Sequence, residues 1–172
     1  MIQFPVSPPV WLCEELLAKA KSAANQNEIP IAAGIYRLKN ALSTEIEWQL
    51  VTTQINQTIQ KKNPLAHCET LAIDSAKQIL NVEYLTDLAL VTTLEPCLYC
   101  SGAILLSRIA AVYYFAPSNK GIRLTDILDL SMKRKAKGFT AGVSNHLPEV
   151  HQVENYSKTS QQLLSEFFAK KR

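Results

Sequence analysis

The chain has little glycine, few cysteines and no long apolar run. Five glycines and eight prolines among 172 residues exclude a collagen-like or low-complexity architecture. Four cysteines are too few for a disulfide scaffold. The longest charge-free apolar stretches, 96–107 and 109–118, are separated by Arg108 and fall short of the roughly 20 residues that cross a bilayer. We therefore expect no membrane-spanning segment.

The first ten residues lack the features of an export signal. They contain three prolines, but neither a basic cluster nor a continuous apolar core. This composition predicts an extended lead-in over residues 1–10, and a cytoplasmic location is the default expectation. In the cytoplasm a Cys-x-x-Cys pair is more often a metal or redox site than a disulfide.

What is present is enough apolar sequence for a folded core. Hydrophobic residues make up 47% and charged residues 19%, and the length predicts a single domain spanning residues 1–172. The net charge of +3 is unevenly distributed: residues 1–122 carry nine Lys/Arg and ten Asp/Glu, whereas residues 123–172 carry nine and five. This basic excess is compatible with an acidic partner such as RNA, and equally with an ordinary solvated basic face.

Hydrophobic periodicity predicts ten elements in the order α-β-β-α-β-α-β-α-β-α. Helices are expected over 11–25, 67–80, 97–107, 125–136 and 157–171. We expect Thr125 or Asp126 to cap the fourth helix. Strands are expected over 31–38, 48–55, 88–93, 109–115 and 150–153. The alternation indicates an α/β domain with helices on both faces of one sheet.

Two short motifs carry the residue types of a metal site. His67-Cys68-Glu69 begins the second predicted helix, and Pro96-Cys97-Leu98-Tyr99-Cys100 begins the third. Cys97 and Cys100 are three residues apart, so both sulfurs can lie on one helix face. Together with His67 they make a three-ligand set for Zn²⁺, which in catalytic sites leaves one position open for water.

Glu69 supplies the second half of the chemistry. On a continuous helix, residues 67 and 69 point about 200° apart, from 3.6 residues per turn. They can share a site only if the metal lies beyond the first turn of the helix. From there Glu69 reaches a water without coordinating the metal, and can take its proton and return it to a substrate.

Other interpretations of these cysteines and of His67 are weaker. A structural zinc site normally needs a fourth fixed protein ligand, and a thiol redox pair explains neither His67 nor Glu69. Cys13 lies in a predicted helix and is expected to be a small buried hydrophobe. The side chain of Cys68 is expected to pack in the core while its backbone lines the pocket.

The combined pattern H-x-E…P-C-x-x-C is the signature of zinc nucleobase deaminases. The run TTLEPCLYCSGA at 92–103, followed by Ser107-Arg108-Ile109, resembles the cytidine/deoxycytidylate deaminase superfamily and, within it, the bacterial tRNA-specific adenosine deaminases. The resemblance extends from about residue 11 to the C-terminus. Supporting features are an asparagine eleven residues before the motif histidine, the SNKG segment at 118–121 and the Phe-Phe terminal helix at 163–172.

The resemblance implies a cytidine deaminase-like fold, a three-layer α/β/α domain with a five-stranded mixed sheet. It implies hydrolytic conversion of adenosine to inosine at the tRNA wobble position by a homodimer, with zinc bound by His67, Cys97 and Cys100. Glu69 would move protons. The base would be oriented by Asn56, by the backbone of Cys68 and by Pro96. Candidate phosphate contacts are Arg108, Lys120, Lys170, Lys171 and Arg172.

Some features depart from the family pattern and leave alternatives open. Cys68 stands where alanine is usual, and the segments 30–56 and 131–148 are longer than expected. The zinc motif alone does not distinguish a tRNA enzyme from a small-molecule deaminase acting on guanine or cytosine, or from a silent RNA-binding subunit. The basic C-terminal third and the Phe-Phe helix favour tRNA, and the presence of Glu69 favours a working enzyme.

Overall fold

The structure, a computed structural model, describes residues 4–40, 46–138 and 144–171. Its α-helices are α1 (Val10–Asn25), α2 (Cys68–Leu80), α3 (Leu98–Ser107), α4 (Leu124–Ala136) and α5 (Ser157–Ala169). Its strands are β1 (Ala32–Asn40), β2 (Ile46–Ile55), β3 (Leu88–Leu94), β4 (Ala111–Ala116) and β5 (Glu149–Gln152). A short 3-10 helix, Glu154–Tyr156, precedes α5.

The strands form one sheet in the order β2-β1-β3-β4-β5. β1 is antiparallel to both of its neighbours, β2 and β3. β4 is parallel to both β3 and β5. The five-stranded mixed sheet expected from the sequence is therefore confirmed.

Each face of the sheet is covered by helices, because side chains alternate along the strands. Tyr36 and Leu38 join the helix α1 residues Leu12 and Leu16 in one buried cluster, against which α5 packs. Ile35, which directly precedes Tyr36 in β1, belongs to a second cluster on the opposite face, with residues of α2 and α3. These two cores confirm the three-layer α/β/α arrangement.

Most element boundaries agree with the sequence prediction to within one or two residues, but the predicted cap of α4 is wrong. The helix is capped by Arg123. The Asp126 carboxylate lies one turn inside it and accepts hydrogen bonds from the backbone N–H of Arg123 (3.0 Å) and from its guanidinium (2.9 Å). The Thr125 hydroxyl instead donates to Glu95 (2.6 Å), a partner that is distant in sequence.

Three further predictions can be compared with the structure only in part. The lead-in is non-helical over residues 4–9, where Tyr113 donates a hydrogen bond to the carbonyl of Pro5, and residues 1–3 lie outside the described residues. In the two longer segments, residues 41–45 and 139–143 also lie outside them. Within the described ranges, every helix is too short or too polar to cross a membrane.

Candidate metal centre and active site

The sheet topology brings the two motifs to one edge. β1 is antiparallel to both β2 and β3, so these two strands run in the same direction. Ala33 pairs with Gln54 on one side and with Thr92 on the other, which places the ends of β2 and β3 at the same level. The helices that follow, α2 and α3, therefore begin side by side, with His67 and Cys97 as their N-cap residues.

His67, Cys97 and Cys100 form a compact cluster at this edge. The Nδ1 atom of His67 lies 3.4 Å from the sulfur of Cys100 and 3.7 Å from that of Cys97. All three ligand atoms lie within 4.8 Å of one another. Cys100 is buried, whereas His67 and Cys97 are half-buried and open toward a cavity. Two thiolates and an imidazole suit the borderline-soft Zn²⁺ ion, so the residues fit this metal.

Hydrogen bonding inside the cluster favours a thiolate. A hydrogen bond from the Cys100 thiol, with another from His67, outweighs the effect of burial and lowers the pKa of Cys97 to about 3. The same shared bond and burial raise the pKa of Cys100, while the bond to Cys97 raises the pKa of His67. The positive ends of α2 and α3 add to this preference for negative charge, which prepares the cluster for a cation.

Glu69 lies beside the cluster without belonging to it. Its carboxylate is buried, and desolvation raises its pKa. The Cys68 thiol donates a hydrogen bond to Glu69 Oε2 (3.2 Å). The charges of His67 and Cys97 act on the carboxylate, so the groups are close. A carboxylate with a raised pKa is suited to accept and release a proton near neutral pH.

The three residues expected to orient a base differ in their surroundings. Asn56 lines the cavity, and its side-chain oxygen accepts a hydrogen bond from the backbone N–H of Cys68 (2.8 Å). The side chain of Cys68 is buried in the core, as expected from the sequence. The backbone N–H of Cys68 thus already donates to Asn56 within the protein. Neither Cys68 nor Pro96 lines the cavity, and the Pro96 carbonyl accepts a hydrogen bond from Leu124 (3.1 Å).

A cavity of about 530 Å³ opens above the cluster. Its walls come from five parts of the chain: the α1–β1, β2–α2, β3–α3 and β4–α4 connections, and α5. The lining residues are Ile29, Ile31, Asn56, His67, Leu94, Cys97, Pro117, Ser118, Asn119, Lys120, Gln161, Leu164, Ser165 and Phe168.

The wall formed by α5 was not predicted from the sequence. Gln161, Leu164, Ser165 and Phe168 all face the cavity. Their spacing of three, four and seven residues is that of a single helix face, which was the available signal. The sequence pattern could not show which surface this face meets, because Leu163 on another side of the helix packs against the core.

The candidate phosphate contacts fall into different places. Lys120 lines the cavity, and Lys170 and Lys171 follow the cavity-lining Phe168 at the end of α5. Arg108 ends α3 at the opposite end from Cys97, with its guanidinium 3.9 Å from the centre of the Tyr84 ring. Arg172 lies outside the described residues. Of the four that the structure describes, Lys120 lines the cavity, and the Lys171 ammonium lies 4.8 Å from the centre of the Phe167 ring.

Comparison with known proteins agrees with this site. The cytidine and deoxycytidylate deaminase zinc-binding region matches residues 9–116. The tRNA-specific adenosine deaminase of Aquifex aeolicus is 36% identical over 162 residues, which cover 91% of each chain. That of Rickettsia typhi is 29% identical over 160 residues, or 92% of this chain and 97% of the relative.

Solved structures give the same fold. One from a study of A-to-I editing by tRNA:A34 deaminases at the wobble position superimposes with a TM-score of 0.70 and 26% identity, covering 91% of this chain and 100% of the other. The guanine deaminase from Nitrosomonas europaea has a TM-score of 0.65 at 18% identity, covering 97% of both chains, and so shares the fold. This chain belongs to the cytidine and deoxycytidylate deaminase family.

Proposed function

We propose that this protein is a zinc-dependent hydrolytic deaminase that converts adenosine to inosine at the wobble position of tRNA. The observation that carries the proposal is the cluster of His67, Cys97 and Cys100 within 4.8 Å, with the buried carboxylate of Glu69 beside it. The substrate is proposed because relatives that match nine-tenths of the chain are tRNA-specific adenosine deaminases.

The cluster would hold the metal, with Nδ1 of His67 and the sulfurs of Cys97 and Cys100 as ligands. Bound zinc supplies a Lewis acid that lowers the pKa of a water molecule. The protein contributes three fixed ligands, a site at the base of a cavity and the positive ends of two helices, which stabilise negative charge at this point.

Glu69 would move the protons of the reaction. Hydrolytic deamination replaces the 6-amino group of adenine by oxygen, so both protons of the water must leave its oxygen: one goes to the ring nitrogen and the other to the amino group, which departs as ammonia. Desolvation raises the pKa of Glu69, so that its carboxylate can accept the proton from water and pass it to the base. The Cys68 thiol, 3.2 Å from Oε2, helps to hold the carboxylate in one position.

The cavity walls offer groups that would hold the base. The oxygen of the Asn56 side chain is committed to Cys68, and this bond orients its amide N–H₂ group as a donor for an acceptor on the base. Phe168, partly exposed on the α5 wall, offers a ring on which a nucleobase can stack. Lys120, Lys170 and Lys171 would contact phosphates.

The alternative is a small-molecule deaminase of the same fold, acting on free guanine or cytosine. The proposal favours nucleic acid because Lys120 lines the cavity and because Lys170 and Lys171 directly follow α5, one face of which forms a cavity wall. A free neutral base has no phosphate for these residues to bind. We place the reaction in the cytoplasm and assign it to one deaminase domain spanning residues 1–172.

The proposed function is tested by incubating the zinc-loaded protein with an anticodon stem–loop carrying A34. Inosine formation is measured by sequencing, where inosine reads as guanosine. The matched control is the same stem–loop with adenosine moved away from position 34. We expect inosine at position 34 alone. Unchanged A34, together with turnover of free guanine or cytosine, would refute the tRNA substrate.

We also propose that the enzyme works as a homodimer, as its family resemblance implies. Support comes from α3, which is apolar on its exposed side as well as on its buried side. Leu98, Tyr99 and Leu106 are 54%, 44% and 80% exposed, an unusual exposure for three large apolar residues on one helix. Light scattering of the wild type should give twice the chain mass of 19.2 kDa, and Leu106→Asp should give the monomer.

A further inference from the structure

Glu28 is a fully buried carboxylate that lies away from the metal cluster. It follows α1 and accepts four hydrogen bonds. Oε1 accepts from the backbone N–H of Ile29 (2.9 Å) and from the Thr58 hydroxyl (2.9 Å). Oε2 accepts from the backbone N–H of Ile59 (2.9 Å) and Gln60 (3.1 Å). Burial opposes ionisation, but these bonds outweigh it and lower the pKa of Glu28.

These bonds join two connections that both contribute to the cavity. The segment that contains Glu28 supplies Ile29 and Ile31 to the lining. The turn at 57–60 begins directly after Asn56, which also lines the cavity. Within this pair of connections, the backbone N–H of Asn56 donates to the Ile31 carbonyl (3.1 Å). The Glu28 carboxylate thus supplies most of the hydrogen bonds that hold the 57–60 turn against the α1–β1 connection.

The 57–60 turn is also connected to the residues around the metal cluster. The backbone N–H of Gln57 donates to the Ala66 carbonyl (3.0 Å), and Ala66 precedes His67. The Asn56 side chain accepts the N–H of Cys68 (2.8 Å). A displacement of the 57–60 turn would therefore first move Asn56, which directly precedes it. No atom of Glu28 needs to reach the substrate for this to matter.

We propose that Glu28 is a positioning residue for deamination, which acts by fixing the side chain of Asn56. This rests on the proposed function in so far as Asn56 contacts the base. A carboxylate is suited to this task because it only accepts hydrogen bonds, and all four of its partners are donors. Glutamine is nearly isosteric, but its N–H₂ group would replace one carboxylate oxygen and so face the two donors that this oxygen accepts from.

A double-mutant cycle separates positioning from a purely structural role. Deamination of the A34 stem–loop is measured for the wild type, Glu28→Gln, Asn56→Ala and the double variant. We expect Glu28→Gln to lower kcat/KM by about tenfold or more in the wild-type background and by less than about threefold when Asn56 is absent. Equal losses in the two backgrounds would overturn the proposal, because a general loss of stability acts regardless of Asn56.

Two further variants keep the test interpretable. Thr58→Val removes one donor to Glu28 and retains the shape of the side chain, so it should show the same coupling to Asn56→Ala with a smaller loss of kcat/KM. This variant replaces Glu28→Gln in the cycle if Glu28→Gln does not fold. Glu47→Gln makes the same change at an exposed position on β2 and should leave kcat/KM unchanged. Zinc content should equal that of the wild type in all of them.

Amide hydrogen exchange gives a readout that does not depend on the substrate. In Glu28→Gln we expect faster exchange at Ile59 and Gln60, because their acceptor loses its negative charge or is replaced by the amide N–H₂ group, and also at Cys68, whose acceptor is Asn56. Unchanged protection at Cys68 would overturn the positioning role. If the wild type makes no inosine, the proposed function fails, and the exchange at Cys68 still decides the role of Glu28.

Discussion

The base of the cavity and its rim are built in different ways. The base consists of the cavity-lining residues His67 and Cys97 together with the buried Glu69 and Cys100. All four lie at the starts of two helices that begin side by side at one sheet edge. The rim is assembled from separate segments: the connection after α1, the loop after β4 and one face of α5. We therefore expect the base of the cavity to determine the reaction and the rim of the cavity to determine which substrate binds.

The largest expected effect is at the base. Glu69→Ala should lower the rate of inosine formation by roughly 10²–10⁴-fold, the loss typical of a general acid–base group, because the described residues that line the cavity include no carboxylate that could replace it. Zinc content and the melting temperature should change little. Rate and metal content are measured on one preparation. If wild type and variant are equally inactive on every nucleobase, the protein is a silent subunit and not an enzyme.

The next comparison uses two cysteines of different kinds. Cys97→Ala removes a proposed ligand and should abolish stable zinc binding and activity, with a melting temperature lower by about 5 °C or more, since metal binding is coupled to folding. Cys13→Ala is the matched control, because Cys13 is a residue of α1 that is buried in the core. It should retain zinc, measured by elemental analysis. Equal zinc content in both variants would contradict the assigned ligand set.

A smaller effect is expected at the rim. The double variant Lys170→Ala/Lys171→Ala should raise KM for the A34 stem–loop about three- to tenfold and reduce the salt dependence of binding, with little change in kcat. The matched control is Lys77→Ala, near the end of α2 that lies away from His67. KM is measured at several salt concentrations. A loss confined to kcat would show that these lysines act on the chemistry and would break the division between base and rim.

The smallest effect concerns acid stability at Glu28. The pKa of this group is lower in the folded protein than its usual value of 4.5, so the unfolded chain binds the proton more readily. Its contribution to stability is complete above about pH 4.5 and is lost as the pH falls through the folded value. In urea unfolding curves, the difference in stability between wild type and Glu28→Gln should therefore shrink below pH 4.5. A difference independent of pH would contradict an ionised Glu28.

Much of the fold was accessible from the sequence because its signals are local. The apolar run at 109–115 predicts a buried strand, and β4 occupies Ala111–Ala116. The Cys-x-x-Cys spacing predicts convergence of two sulfurs, and both lie in the cluster with His67. The requirement that His67 and Glu69 meet a metal beyond the helix start agrees with His67 being the N-cap of α2.

What the sequence did not predict depends on contacts between distant residues. Thr125 is a residue type that often caps helices, yet its hydroxyl donates a hydrogen bond to Glu95, thirty residues away. Glu28 is indistinguishable in sequence from a surface glutamate, and the 57–60 turn, which is distant in sequence, supplies three of the four hydrogen bonds that its carboxylate accepts. Likewise, the packing of α5 against the sheet and α1 determines which face of this helix meets the cavity.

The most direct test of the account is a competition in one reaction. Zinc-loaded protein receives the A34 stem–loop together with an excess of free guanine and cytosine, and inosine, xanthine and uracil are quantified over time. We predict inosine at position 34, no xanthine or uracil, and loss of the inosine signal in Glu69→Ala. Xanthine or uracil formed by the wild type while A34 stays intact would contradict the central claim that this site deaminates tRNA.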